Sequence, residues 1–180
     1  MKKRLINFKF IFTIALIEVL CYMAIDFYLA SMPHIATFFE TSYSNIQLSL
    51  TFFLFAMGIG QLFFGPIIDY FGRKIPLFIG IMLYSLCSIL ISFSTNVEMF
   101  LFFRIIQGLS VALIYVCIIS MVRDVSKGRV AANIFAILIT IGATTPILAP
   151  TLGGYIEQEF GWKTVFYILF VLAIFLAITS

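Results

Sequence analysis

Long apolar runs, each close to the length needed to cross a bilayer and separated by short polar breaks, leave this chain few folds to choose from. A spanning helix needs roughly 20 mainly apolar residues. Such runs fall at about residues 8–29, 46–68, 75–93, 100–122 and 131–152, with a sixth starting near Thr164. Composition agrees with this reading. Of 180 residues, 63% are hydrophobic and 11% charged, where a soluble domain has about 45–50% and about 25%. An ordinary soluble protein is excluded. The expected architecture is an all-α membrane protein, one bundle of six transmembrane helices over residues 1–180, with short connections that make neighbouring helices antiparallel.

The distribution of basic residues orients the bundle. With the N-terminus inside, Lys2, Lys3, Arg4, Lys9, Arg73, Lys74, Arg123, Lys127 and Arg129 lie in the cytoplasm and Lys163 alone lies in an outer loop. Positive loops stay inside, so both termini are expected to be cytoplasmic. The basic N-terminus is read as the start of the first span and not as a signal peptide, because Glu18 and Asp26 interrupt the run that follows it and no clear cleavage pattern does. The net charge of +3 comes from loop bases and suits lipid headgroups more than nucleic acid, for which no binding patch is present.

Cys21, Cys87 and Cys117 all lie inside apolar runs without paired spacing, which argues against a disulfide framework or a metal site. The single histidine, His34, has no second ligand beside it and is read as a surface residue. No Ser-His or histidine-rich constellation in the spans suggests an enzyme.

The first span carries the polar chemistry. Glu18, Tyr22 and Asp26 are spaced i, i+4, i+8, so they share one helix face, drifting over about 80° while rising roughly 12 Å. An acid at mid-membrane is costly and usually faces a bundle interior or a watery cavity. Arg104 is the only base inside any span, and it stays charged, so it needs a carboxylate or a shell of carbonyls. Counted from the ends of two antiparallel helices, Asp26 and Arg104 sit at similar depth, and an interaction between them, direct or through water, is expected. Glu18 has no base in its own layer and is the favoured proton carrier. Gln61, Gln107 and Asn133 are possible polar contacts for a substrate, with Tyr22; Met23, Phe27 and Tyr115 are aromatic or flexible apolar candidates among 22 phenylalanines.

Between the second and third runs lies Gly65-Pro66-Ile67-Ile68-Asp69-Tyr70-Phe71-Gly72-Arg73-Lys74, read as a water-facing hairpin turn. Gly72 can take a positive φ there, and Asp69 and Arg73, four apart, can touch if the turn is helical. The order Gly65-x-x-x-Asp69-x-x-Gly72-Arg73-Lys74-x-x-Leu77 resembles the signature joining the second and third spans of the major facilitator superfamily of transporters. In that family the acid and base latch one state of the carrier, and Arg123 and Asp124, on the same cytoplasmic side, complete a charge cluster. Arg104-x-x-Gln107-Gly108 resembles the superfamily's fourth-span arginine motif, whose arginine is implicated in proton coupling.

The fifth run holds Gly142-x-x-x-Pro146-x-x-x-Pro150-x-x-Gly153-Gly154. Prolines free carbonyls and bend helices, and glycines let helices approach closely. The pattern is similar to the antiporter motif, with Ala149 where a glycine is usual. Asp26-Phe27-Tyr28-Leu29-Ala30-Ser31-Met32-Pro33, Gln47 to Thr51 and Gly60 to Pro66 resemble the bicyclomycin-resistance and CflA-type drug:proton antiporters. That likeness implies export of a small drug-like molecule or metabolite across the cytoplasmic membrane in exchange for protons, with no cofactor and the proton gradient as energy source. It also implies a second six-span half, absent from this chain, for which lipid and a partner bundle would be the surroundings. The alternative is a truncated or non-transporting membrane interaction protein.

Overall fold

A computed structural model describes residues 8–179; the predicted cytoplasmic bases Lys2, Lys3 and Arg4 lie outside the described residues. In order, the chain forms α1 (Phe8–Asp26), a 3-10 turn (Leu29–Ser31), α2 (Met32–Phe38), α3 (Tyr43–Phe71), α4 (Lys74–Ser92), α5 (Val97–Val125), α6 (Arg129–Phe160) and α7 (Trp162–Thr179). Taking α1 with α2 as one element, six helical elements are long and apolar enough to cross a membrane. The chain is a multi-pass membrane protein. Helices suit this medium because they satisfy their own backbone groups where no water can.

Local chemistry sets the ends. Ser42 accepts from the Asn45 amide at 3.2 Å to start α3, and Asn96 accepts from the Met99 amide at 2.8 Å to start α5. Gly72 closes α3 at φ 78° and Gly161 closes α6 at φ 81°, values that let the chain reverse within one or two residues.

Several of the expected boundaries move. The hairpin turn predicted over Gly65–Lys74 is helical as far as Phe71, leaving Gly72 and Arg73 as the connection. Pro66 costs α3 a single backbone hydrogen bond and its ring sits on an exposed face, so the helix continues past it. At 29 residues α3 is about 43 Å long, more than the roughly 30 Å hydrocarbon core, which carries Asp69 into the aqueous layer. Pro33, which follows the end of α1, occupies the first turn of the short α2, where its missing N–H is not needed.

The helices pack as two sets. Helix α5 lies between α3 and α4, α1 packs on α6 and α7, and α4 against α7 joins the sets. Ile14, Ile17, Leu20 and Ala24 of α1, Val111, Ile114, Cys117 and Ile118 of α5, and Val165, Phe166 and Leu169 of α7 form the core. All three cysteines are buried and free. Glycines set the closest approaches. A Cβ on Gly108 would collide with the Phe53 backbone, so α3 and α5 touch main chain to main chain. The least buried spans are α3 and α6, which expose Phe55, Leu62 and Phe63 on one and Ile139, Ile147 and Leu148 on the other.

Candidate functional site

Helices α1 and α5 touch only lightly, and two cavities open along their seam. The first, about 250 Å³, is lined by Cys21, Tyr22, Ile25, Met57, Gln61, Val111 and Tyr115. The second, about 200 Å³, is lined by Glu18, Tyr22 and Tyr115 with Ile118, Ile119, Phe135, Leu138 and Ile139. Tyr22 and Tyr115 line both, so the cavities adjoin across these two rings. Glu18 is 2% exposed, and its Oε2 has no hydrogen-bond partner among the described residues. No base lies within ion-pairing distance of it there. The arrangement is an apolar chamber with a single acid, two phenols and one amide, suited to an amphipathic guest and to a proton.

Asp26 departs from this face. It is the last residue of α1, buried, and lines neither cavity. The expected contact with Arg104 is not made directly, since no ion pair joins them among the described residues. Arg104 turns instead to the backbone of α1 and to its own helix. Arg104 Nη1 donates to the Ala24 carbonyl at 3.0 Å and to Gln107 Oε1 at 2.7 Å. Its guanidinium carbon lies 4.1 Å from the Tyr28 ring centre and 4.4 Å from that of Phe53, while Nε and Nη2 have no hydrogen-bond partner among the described residues. Carbonyl and aromatic faces thus take the place of a carboxylate around a fully buried cation. The Ala24 carbonyl is one of the last four of α1, groups that a helix end leaves without intrahelical donors. Arg104 caps the end of the first span from a neighbouring helix, with its charge at the favourable pole.

Further contacts fix that end. Ser49 donates to the Ile46 carbonyl at 2.6 Å, so the Tyr28 hydroxyl is the donor in its 3.2 Å bond to Ser49. Tyr84 donates to the Leu20 carbonyl at 3.3 Å. Gln107, expected among the substrate contacts, is wholly buried and outside both cavities. It faces α4, where its Nε2 donates to Ser88 Oγ at 2.9 Å. Of the other apolar candidates, Phe27 is buried beside Gly153, and Met23 lines separate crevices toward α6 and α7. Asn133 is exposed and lines neither cavity.

At the opposite end, Arg73 gathers the charges. Its Nη2 pairs with Asp69 at 3.0 Å and its Nε lies 2.7 Å from Asp124, an ion pair without hydrogen-bond alignment, while Nη1 donates to the Ile68 carbonyl at 3.4 Å. The turn between α3 and α4 is thereby tied to the end of α5. Arg123 is exposed and takes part in none of the ion pairs among the described residues. Gly65 has open space where a Cβ would stand, so it is not a close-packing position in this chain. Arg73→Ala is expected to cost about 1 kcal/mol in detergent unfolding, and Asp69→Asn less, because both acids are more than half solvated or close to it. Equal losses from the two changes would mean that the Asp124 contact adds nothing.

The antiporter-like segment is a single unbroken helix through Pro146 and Pro150. Gly142 gives room to the Tyr22 hydroxyl, Gly153 to the Phe27 carbonyl and Gly154 to Ala30. Just beyond it, Glu157, buried, pairs with the exposed His34 at 2.6 Å. That acid escaped sequence reading because the fifth span was expected to end near Leu152, whereas α6 runs to Phe160. Among the described residues, no group of three or more His, Cys, Asp or Glu could hold a metal ion.

These features define an all-α, multi-pass membrane protein with a buried acid facing a cavity between its helices. The family model for the Major Facilitator Superfamily matches residues 14–179, and the chain belongs to that family. It is 37% identical over 169 residues to an uncharacterized MFS-type transporter, YdgK, of Bacillus subtilis, covering 93% of this chain and 42% of that protein. It is 34% identical over 153 residues to a chloramphenicol resistance protein of Pseudomonas aeruginosa, covering 84% and 36%. To a bicyclomycin resistance protein homolog of Haemophilus influenzae it is 31% identical over 163 residues, covering 91% and 41%. The chain thus spans about two fifths of the length of the curated relatives it matches.

Proposed function

We propose that this chain is the N-terminal half of a proton-coupled exporter of small drug-like molecules in the cytoplasmic membrane, with both termini inside. The observation that carries the reading is Glu18, an acid buried with a free oxygen on the wall of a chamber shared with Tyr22 and Tyr115. Such an acid can take up or give up a proton without breaking an ion pair. Tyr22, Gln61 and Tyr115 are the polar contacts for the guest. Arg104 holds the end of the helix on which Glu18 and Asp26 ride, and the Asp69, Arg73 and Asp124 cluster latches the inner side. The exposed apolar faces of α3 and α6 take the second six-span bundle, consistent with the share of its relatives that this chain covers. The transport cycle needs no cofactor and no catalytic residue; the proton gradient drives it.

The test is proton release from the purified chain in detergent on adding chloramphenicol, alone and mixed with the separately expressed second half of a related carrier. Release in the mixture supports the reading. No release in either setting, from a folded chain, would favour a membrane interaction protein that does not transport.

A further inference from the structure

Arg104 and Gln107 both lie on α5, yet the residue that fixes their geometry belongs to α4. The guanidinium is a pure donor, so the end of the Gln107 amide that faces Nη1 at 2.7 Å must be its carbonyl oxygen. The NH₂ end then points to α4, where Ser88 Oγ lies 2.9 Å from Nε2. Ser88 spends its own proton on the Tyr84 carbonyl at 2.9 Å, which leaves the hydroxyl oxygen free to accept. Arg104, Gln107 and Ser88 are each fully buried, so water offers none of them an alternative partner. A reversed amide would set donor against donor at the guanidinium. We infer that Ser88 is a positioning residue for Arg104, acting through the Gln107 amide, and that α4 thereby sets the cap on the end of α1.

The chain of contacts runs from the Tyr84 carbonyl to Ser88, Gln107, Arg104 and the Ala24 carbonyl, crossing from α4 through α5 to α1. A shift of α4 along α5 is therefore felt at the end of the helix that carries Glu18. The inference rests on the proposed coupling site only for this functional consequence; the geometry stands without it. Ser85 provides an internal control. It is a buried serine on the same helix whose hydroxyl has no hydrogen-bond partner among the described residues, so its loss removes similar volume and no bond.

The experiment is NMR of the isotope-labelled full chain in detergent, following the Gln107 side-chain amide and the Arg104 Nε–H, with Ser88→Ala, Ser88→Thr and Ser85→Ala. Ser88→Ala is expected to shift both signals and to speed solvent exchange of the Gln107 amide by about tenfold, the scale of one lost buried hydrogen bond. Ser88→Thr, which keeps a hydroxyl, restores them, and Ser85→Ala leaves them in place. Unchanged signals in Ser88→Ala, or equal changes in Ser85→Ala, overturn the inference. The expected shifts with no proton release from the unmodified assembly would remove the transport reading and leave the positioning role standing.

Discussion

Replacing Glu18 by glutamine is expected to abolish drug-evoked proton release while leaving the bundle folded. The substitution keeps shape and volume, and it removes the one carboxyl group among the residues that line the two cavities. Because Glu18 has no ion-pair partner among the described residues, no opposite charge is stranded by the change. Thermal unfolding in detergent should therefore be unchanged or slightly raised, since a neutral amide is cheaper than an acid in this layer. The pair of readouts separates a coupling acid from a structural one. A structural Glu18 would lower the unfolding temperature and leave release intact in whatever folds; a coupling Glu18 does the reverse. Asp26→Asn is the companion. Asp26 lies at the end of the capped helix, outside both cavities, so its neutralisation should weaken release less than that of Glu18. Wild-type proton release with Glu18 neutralised would end the proposal that it carries the proton.

The spans, the two acids of the first helix and the single buried base were all legible in the sequence, because each is a departure from an apolar background that lipid makes expensive. Partners within the bundle were not. Hydropathy fixes depth, so Asp26 and Arg104 could be placed in one layer, but the rotation of each helix decides which atoms meet. That rotation turns Arg104 to the Ala24 carbonyl and to two aromatic faces. Gln107 read as a chamber residue for the same reason and faces α4 instead. Ser88 gave no signal, since a serine in an apolar run can bond its own helix and needs no partner to be explained. Glu157 was hidden by a boundary: the fifth run was expected to end near Leu152, and α6 continues to Phe160. The charge cluster around Arg73 was legible because four-residue spacing across a helix end brings an acid and a base together whatever the rotation.

Gly153→Val is expected to be the most damaging single change in α6, costing about 3 kcal/mol, the upper end of overpacking penalties. A Cβ at this position would overlap the Phe27 carbonyl oxygen, which belongs to the break between α1 and the 3-10 turn. A carbonyl on the main chain cannot rotate aside as a side chain can, so either α6 moves out or the end of α1 does. Moving α1 would also strain the Arg104 cap two helical turns above Glu18, and drug-evoked proton release should fall with stability. Neighbouring glycines grade the effect. Gly154→Ala places its Cβ 3.2 Å from that of Ala30, a gap that a few tenths of an ångström would relieve, so its cost should be small. Gly142→Ala meets only the tip of Tyr22, a side chain that can swing. It should alter drug affinity through the chamber wall and spare the fold. Gly58→Ala faces open space and serves as the neutral reference. Thermal unfolding in detergent should rank the losses Gly153→Val, then Gly154→Ala, then Gly58→Ala; a Gly153→Val chain as stable as the reference would mean that the first and fifth spans do not meet main chain to main chain, and that the glycines of this segment serve some purpose other than holding the broken end of α1.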